Sequence, residues 1–403
     1  MDAYINEWVN LFIRWFHLIA GIAWIGSSFF FMWLDSHLEQ PSSSKKDVEG
    51  ELWMVHSGGF YQVEKKLIES KNMPKVLHWF KWEATLTWIS GFCLLVVVYY
   101  LRDGVYLIDP SISDISVQSA TILGLATLFV SWVLYDLLWV SYLSKYKAIC
   151  NFICTLYVVG LCYGLSQYLS GRAAFIHIGA MFGTLMVANV WMRILPAQRE
   201  MIAATKEDRT PDYSLGKKAK QRSIHNNYMT FPVLFIMLSN HFPSTYGHSL
   251  SWVTLLGIML AGAGVRHFMN VRNQFSGLVL VSSIVIFLGM FFMTAPLPSK
   301  KDNVVVSELA KQGYHHVSSK GCFTCHSVDG AKTIGPTFKG IWGRVEELTN
   351  GEKFIVDANY IRESIEYPKK KFVKGYPPVM PVYKGQFTDS ELEAIVEYFK
   401  SLK

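Results

Sequence analysis

The chain has 403 residues, of which 51% are hydrophobic, 15% aromatic and 17% charged, with a mean hydropathy of +0.22 and a formal net charge of +7. A soluble domain usually carries about 25% charged residues, so this composition excludes an ordinary soluble enzyme and points to a membrane protein. The surplus of Trp, Tyr and Phe suits interfacial belts, and nothing in the sequence suggests a nucleic-acid partner.

A bilayer is crossed by about 20 predominantly apolar residues. Eight segments are candidates, roughly 8–34, 80–101, 119–141, 148–169, 174–195, 228–241, 249–268 and 275–295. The sixth is short and interrupted by Pro232. The opening MDAYINEW puts no basic region before the first apolar run, which argues against a cleaved signal peptide. Loops 35–79, 142–147, 196–227 and 266–274 carry seventeen Lys and Arg, whereas the alternate connections carry two, Arg102 and Arg172. By the positive-inside rule the N-terminus lies outside and the basic loops lie in the cytoplasm. Eight spans then return the chain to the outside. The expected organisation is all-α: a transmembrane bundle over 1–296, a linker over 297–307 and a small periplasmic all-α domain over 308–403, in a bacterial inner membrane.

Polar groups inside the spans are candidates for function, because ionisable residues are rare in lipid. His17 in the first span and His177 in the fifth sit on different helices at similar depth. Such a pair could hold the iron of a b-type haem; the plainer reading is that each bonds a carbonyl of a neighbouring helix. On the cytoplasmic side, WMVHSGGFYQVEKK (53–66) places His56 among aromatics, and RSIHNNY (222–228) places Arg222, His225, Asn226 and Asn227 just before a span. Asn189 lies near the end of the fifth span. Amides and a guanidinium suit a planar, hydrogen-bonding anion, and a solvated loop face accounts for them as well. Cys93, Cys150, Cys154 and Cys162 read as small packing residues.

The tail after PLPSKKDN (296–303) has a different character. SSKGCFTCHSVDG (318–330) contains Cys-x-x-Cys-His, the attachment signature of c-type haem. Cys322 and Cys325 would form the thioethers and His326 would be the proximal iron ligand. Zinc would want a second ligand pair, and the tail has no further Cys. Met380, within YPPVMPVYKG (376–385), offers a thioether as sixth ligand, and Met/His ligation raises the potential. In TDSELEAIVEYFKSL (388–402), Thr388 and Glu391 predict a capping box. Leu392, Ile395, Val396 and Phe399 predict an apolar stripe that packs on the tail's first helix. Lys369–Lys371 with Lys374 could steer an acidic redox partner, or form a solvated face. A haem with both axial positions filled carries one electron at a time, and tethering keeps it concentrated near the bundle. The bundle would then oxidise a substrate and the tail would accept the electrons, although the reverse flow and a mere anchor are both open.

Residues 304–403 resemble a class I cytochrome c, with a helix, CFTCH, GP, VMP and a terminal helix in order. That resemblance implies that the Pro336 carbonyl accepts a hydrogen bond from the proximal His. Residues 1–300 resemble the membrane domain of bacterial urate hydroxylases, the urate oxidase N-terminal family. The likeness rests on HLIAGIAWIGSSFFFMWLD (17–35), HSGGFYQVEK (56–65), LHWFKWEATLTWISG (77–91), GTLMVANVWMRILPAQR (183–199) and KQRSIHNNYMTFPVLFIMLSNHFP (220–243). It implies conversion of urate to 5-hydroxyisourate with water as the oxygen source. Electrons would pass through haem c to a soluble cytochrome c or a terminal oxidase. With urate a monoanion at neutral pH, His225 or His56 would serve as base and Arg222 as a planar fork. Asn226, Asn227 and Asn189 would bond its carbonyls and N–H groups. A cytoplasmic substrate site would call for a second cofactor inside the bundle, such as the b-type haem. Two other functions stay open: a cytochrome-coupled dehydrogenase of another small metabolite, and a membrane-anchored electron carrier without substrate chemistry.

Overall fold

The computed structural model describes residues 3–41, 48–66, 73–101, 104, 106–109, 112–248, 250–271, 275–295, 307–328, 330, 335–376 and 380–402. The N-terminal part is built of long helices: α1 (Ala3–His37), α2 (Trp82–Leu95, extended by a π turn to Tyr100), α3 (Val117–Val140) and α4 (Lys147–Tyr168). There follow α5 (Gly171–Asn189), continuous through the π turn Val190–Ile194 with α6 (Leu195–Lys206), then α7 (Tyr213–Ser239), α8 (Ser251–Asn270) and α9 (Ser276–Thr294). The side chains of Ser116, Ser170 and Asp212 cap α3, α5 and α7 by accepting from backbone N–H groups.

Seven of these rods are long and apolar enough to cross a membrane. The eighth, α7, has 27 residues but a polar first half. The expected sixth span, 228–241, is therefore the apolar half of a longer helix, which continues through Pro232. Proline is tolerated there because neighbouring helices re-satisfy the freed backbone groups.

Helix α5 is the axis of the bundle, with Phe175, His177, Ile178 and Met181 fully enclosed and with α2, α3, α4 and α7 packed around it. The outer helices α1 and α9 expose Trp15, Leu18, Phe287 and Phe291, an apolar exterior that suits lipid. One stretch departs from the all-helical pattern. β1 (Val48–His56) and β2 (Gly59–Lys66) form an antiparallel hairpin. Its two turn residues, Ser57 and Gly58, both have positive φ, as a type I′ hairpin turn demands.

The tail folds around α10 (Glu308–Ser319), the short strands β3 (Val345–Glu347) and β4 (Lys353–Ile355), α11 (Ala358–Glu366) and α12 (Asp389–Ser401). Helices α10 and α12 cross closely: a Cβ on Gly313 would stand 2.0 Å from the Ala394 carbonyl oxygen. The predicted stripe is the core, with Leu392, Ile395, Val396 and Phe399 all buried. The capping box at Thr388 and Glu391 is complete. The expected linker 297–307 lies outside the described residues except for Ser307.

Candidate functional site

In the tail, Gly321, with φ of 73°, turns the chain out of α10 into a short 3₁₀ turn that carries Cys322 and leads to Cys325 and His326. His326 Nδ1 donates to the Pro336 carbonyl at 2.7 Å, which fixes the ring and leaves Nε2 to face a ligand. Phe338 stacks on the imidazole at 4.4 Å. Burial holds His326 below its ordinary pKa, against the opposing pull of the Pro336 bond, so the ring is neutral at pH 7, as a metal ligand must be. As free thiols, Cys322 and Cys325 are both raised by burial, Cys325 to about 11. These residues and Met380 line one cavity of about 400 Å³. Two thiols, an oriented imidazole nitrogen and a thioether around an apolar cavity fit a covalent c-type haem. His241, Phe242 and Ser244, from the connection between α7 and α8, complete the wall. The cradle thus faces the end of the bundle opposite the basic loops. Lys370 and Lys371 share Glu363, and Lys374 pairs with Glu347, so the basic run keeps a net positive charge.

A second cavity, about 990 Å³, opens among α3, α4, α7 and α8. Lys147, Asn151 and Gln221 line it toward the basic-loop end, and Met181, Leu256 and Met259 toward mid-bundle. On its wall Tyr135 bonds His225 Nδ1 at 2.7 Å, and Trp139 packs against the imidazole at 4.4 Å. Among the described residues no protein group bonds His225 Nε2. The buried Trp139 indole N–H lies near the Cys154 sulfur and has no oxygen or nitrogen acceptor among the described residues. Ser131 and Tyr157, bonded to each other at 2.9 Å, add two hydroxyls to the same wall.

Behind Tyr135 runs a buried polar network. Asp136 accepts from Arg222 Nη2 at 2.9 Å and from Arg193 Nε at 2.8 Å, with a second bond from Arg193 Nη2. The Arg222 guanidinium lies over the Tyr135 ring at 4.7 Å. Asn189, fully enclosed, donates to Asn226 Oδ1 at 2.9 Å and to the Tyr135 hydroxyl at 3.2 Å. Asn226 donates to the Met186 carbonyl at 2.9 Å. Two arginines against one aspartate leave a net positive charge beside the cavity. The π turn in the α5–α6 rod sets Arg193 toward Asp136, a use such bulges often have at functional sites.

The sequence-derived candidates divide accordingly. His225 reaches the cavity. Arg222, Asn189 and Asn226 stand behind its wall as supports, not on its lining. Asn227 is on another face of α7, bonded to Arg266 and Asn270 of α8. His56 is at the exposed tip of the hairpin, bonded to Ser57, and is absent from the lining. Tyr135, Asp136, Trp139 and Arg193 were missed. Asp136 had a signal, being a lone carboxylate inside an apolar run.

The proposed haem b site does not fit. Both ring nitrogens of His177 are engaged, Nε2 with the Tyr100 hydroxyl at 2.8 Å and Nδ1 with the Ala173 carbonyl at 2.8 Å. A Cβ at Gly124 would meet His177 Nε2 at 2.4 Å, so no room is left for iron. His17 Nδ1 is bonded to the Thr87 carbonyl and the Ser90 hydroxyl, and its ring packs on Gly91. His17 bonds a carbonyl of a neighbouring helix, as the plainer reading expected, whereas His177 bonds the Ala173 carbonyl of its own helix and a tyrosine hydroxyl.

A family model described as urate oxidase N-terminal matches residues 3–295, and one described as cytochrome c matches residues 310–403. No curated protein matches the chain.

Proposed function

The chain belongs to the urate oxidase N-terminal family, joined to a cytochrome c unit as a cytochrome-linked oxidoreductase, and from this premise we propose that it hydroxylates urate. Urate and water give 5-hydroxyisourate, two protons and two electrons. The site is the cavity among α3, α4, α7 and α8, and the observation that carries this reading is the His225–Tyr135 pair on its wall. The net positive Arg222–Asp136–Arg193 group attracts the urate monoanion and, through Tyr135, holds His225 in place. Trp139 offers an aromatic face to a planar ring. His225 Nε2 takes a proton from bound urate, which makes the ring easier to oxidise. The apolar remainder of the wall strengthens these interactions by excluding bulk water.

Haem c, bound by Cys322, Cys325, His326 and Met380, supplies one-electron acceptance. His225 and His241 are sixteen residues apart on and just beyond α7, about 24 Å along the helix. The cavity shortens this gap. Its inner wall includes Pro232, about 14 Å from His241 by the same rise. Just beyond lie the Tyr100–His177 pair and the rings of Tyr99 and Tyr106, on the side of the haem cradle. The positive-inside pattern places the cradle in the periplasm and the cavity mouth toward the cytoplasm of a bacterial inner membrane. The electron acceptor is then a soluble cytochrome c or a terminal oxidase.

Turnover in H₂¹⁸O tests the chemistry. The expected product is 5-hydroxyisourate carrying one ¹⁸O, with no hydrogen peroxide. Unlabelled product, peroxide, or no consumption of urate by the haem-loaded protein would overturn it.

A further inference from the structure

Arg222, the buried arginine of the second cavity's network, has Asp136 beside it, but Arg266 has no carboxylate partner among the described residues. It lies in the last turns of α8, 3% exposed, with its guanidinium 3.9 Å from the Phe29 ring centre of α1 and 5.9 Å from that of Phe231 in α7. Its Nε donates to Asn227 Oδ1 at 2.9 Å and its Nη1 approaches Met269 Sδ at 3.8 Å. Among the described residues its Nη2 has no partner. Asn270 Nδ2 also donates to Asn227 Oδ1, at 2.5 Å. The two donors fix the amide so that Asn227 Nδ2 points elsewhere, and that nitrogen, on a residue 1% exposed, has no partner among the described residues either. Two buried donors, one of them cationic, therefore lie within one side chain of each other with no acceptor.

Leaving a guanidinium buried without a counter-charge is costly, and Arg does not relieve that cost by losing its proton. What is missing is an acceptor with negative charge. We propose that Arg266 and Asn227 form an oxyanion-binding site in the seam of α1, α7 and α8, distinct from the cavity that holds His225. The ligand is a small oxyanion, or a headgroup bearing one, with two oxygens to receive Arg266 Nη2 and Asn227 Nδ2. Arg266 lies four residues, about 6 Å, from the end of α8 that adjoins the basic loops. A phosphate group of an anionic lipid and a free anion from the aqueous side both reach that depth. The seam is close to lipid because α1 buries little of its surface.

The test is thermal unfolding of the purified full-length holoprotein. It is run in detergent with inorganic phosphate, and in nanodiscs with or without phosphatidylglycerol. At least one arm raises the unfolding temperature of the native protein in a saturable way, and the arm identifies the source of the anion. Arg266→Met, which keeps the bulk against Phe29, abolishes that response, and Arg266→Lys retains only part of it. An equal response in Arg266→Met, or none in any arm for the native protein, overturns the proposal. If Arg266→Met does not fold, Asn227→Leu serves in its place and should weaken the response at least tenfold in anion concentration. An outcome in which urate never reduces haem c, yet phosphate or lipid stabilises through Arg266, refutes the proposed function and leaves this site standing.

Discussion

The tail and the bundle encode their sites in opposite ways. In the tail, Cys322, Cys325 and His326 lie within five residues, and one 3₁₀ turn brings all three to the same cavity. In the bundle, Tyr135, Asp136, Asn189, Arg193, Arg222 and His225 come from three separate rods and form a site only after those rods pack. A covalently attached group needs a local address. A substrate that enters and leaves needs a preorganised wall, and rigid helices held by buried ion pairs provide one. The tail should therefore fail by losing its cofactor, and the bundle by losing geometry or stability.

The largest expected effect tests the local address. Replacing Cys322 and Cys325 together by Ser should remove the covalent haem, seen as loss of the c-type absorption band, and with it all urate-dependent reduction. In the bundle, His225→Gln should slow haem reduction by urate by about 10²–10⁴-fold, the usual worth of a positioned base. The haem spectrum should be unchanged, and an unchanged rate would remove His225 from the chemistry. Asp136→Asn strands two arginines. Breaking a buried pair costs about 3–5 kcal/mol, and the half-exposed Arg193 puts this case near the lower figure, readable as reduced thermal stability with the tail's spectrum intact. Gly124→Ala pushes a methyl into His177 and the Tyr100 hydroxyl and should destabilise by about 1–3 kcal/mol.

The smallest effects belong to the tail's last helix. Thr388→Ala should cost about 1 kcal/mol as a lost N-cap. The Thr388 backbone N–H and side chain hold Glu391 below its ordinary pKa. Its contribution is therefore present above the unfolded carboxylate pKa, about 4.3, and is lost as pH falls through the lower folded value. The stability deficit of Glu391→Gln, followed by thermal unfolding against pH, should be visible at neutral pH and vanish in acid.

Much of this was legible in the sequence, for physical reasons that differ by region. Segment length and hydropathy gave the apolar rods; the Cys-x-x-Cys-His signature, the capping box and the α12 stripe follow local spacing; and the Pro336 contact was implied by the resemblance to class I cytochromes c. The start of α7 was not legible from hydropathy, because Tyr213–Asn227 is helical but polar. The hairpin at 48–66 was hidden in a loop whose turn signal, Ser57-Gly58, went unread beside His56. The polar residues of RSIHNNY were singled out together, but helical geometry sends them in different directions. His225 faces the cavity, Arg222 and Asn226 face the network behind it, and Asn227 faces α8. A linear list cannot separate these faces without the neighbouring helices. His17 and His177 looked alike in depth, yet His17 is taken up by Thr87 and Ser90 and His177 by Tyr100 and Ala173.

The central claim is that oxidation in the bundle empties into the tethered tail. Mixing oxidised, oxygen-free protein with urate tests it most directly, with the c-type band followed in time. The account predicts that the band develops and that one urate reduces the haem of two protein molecules. A haem that stays oxidised under urate, while a chemical reductant still reduces it, would contradict the account.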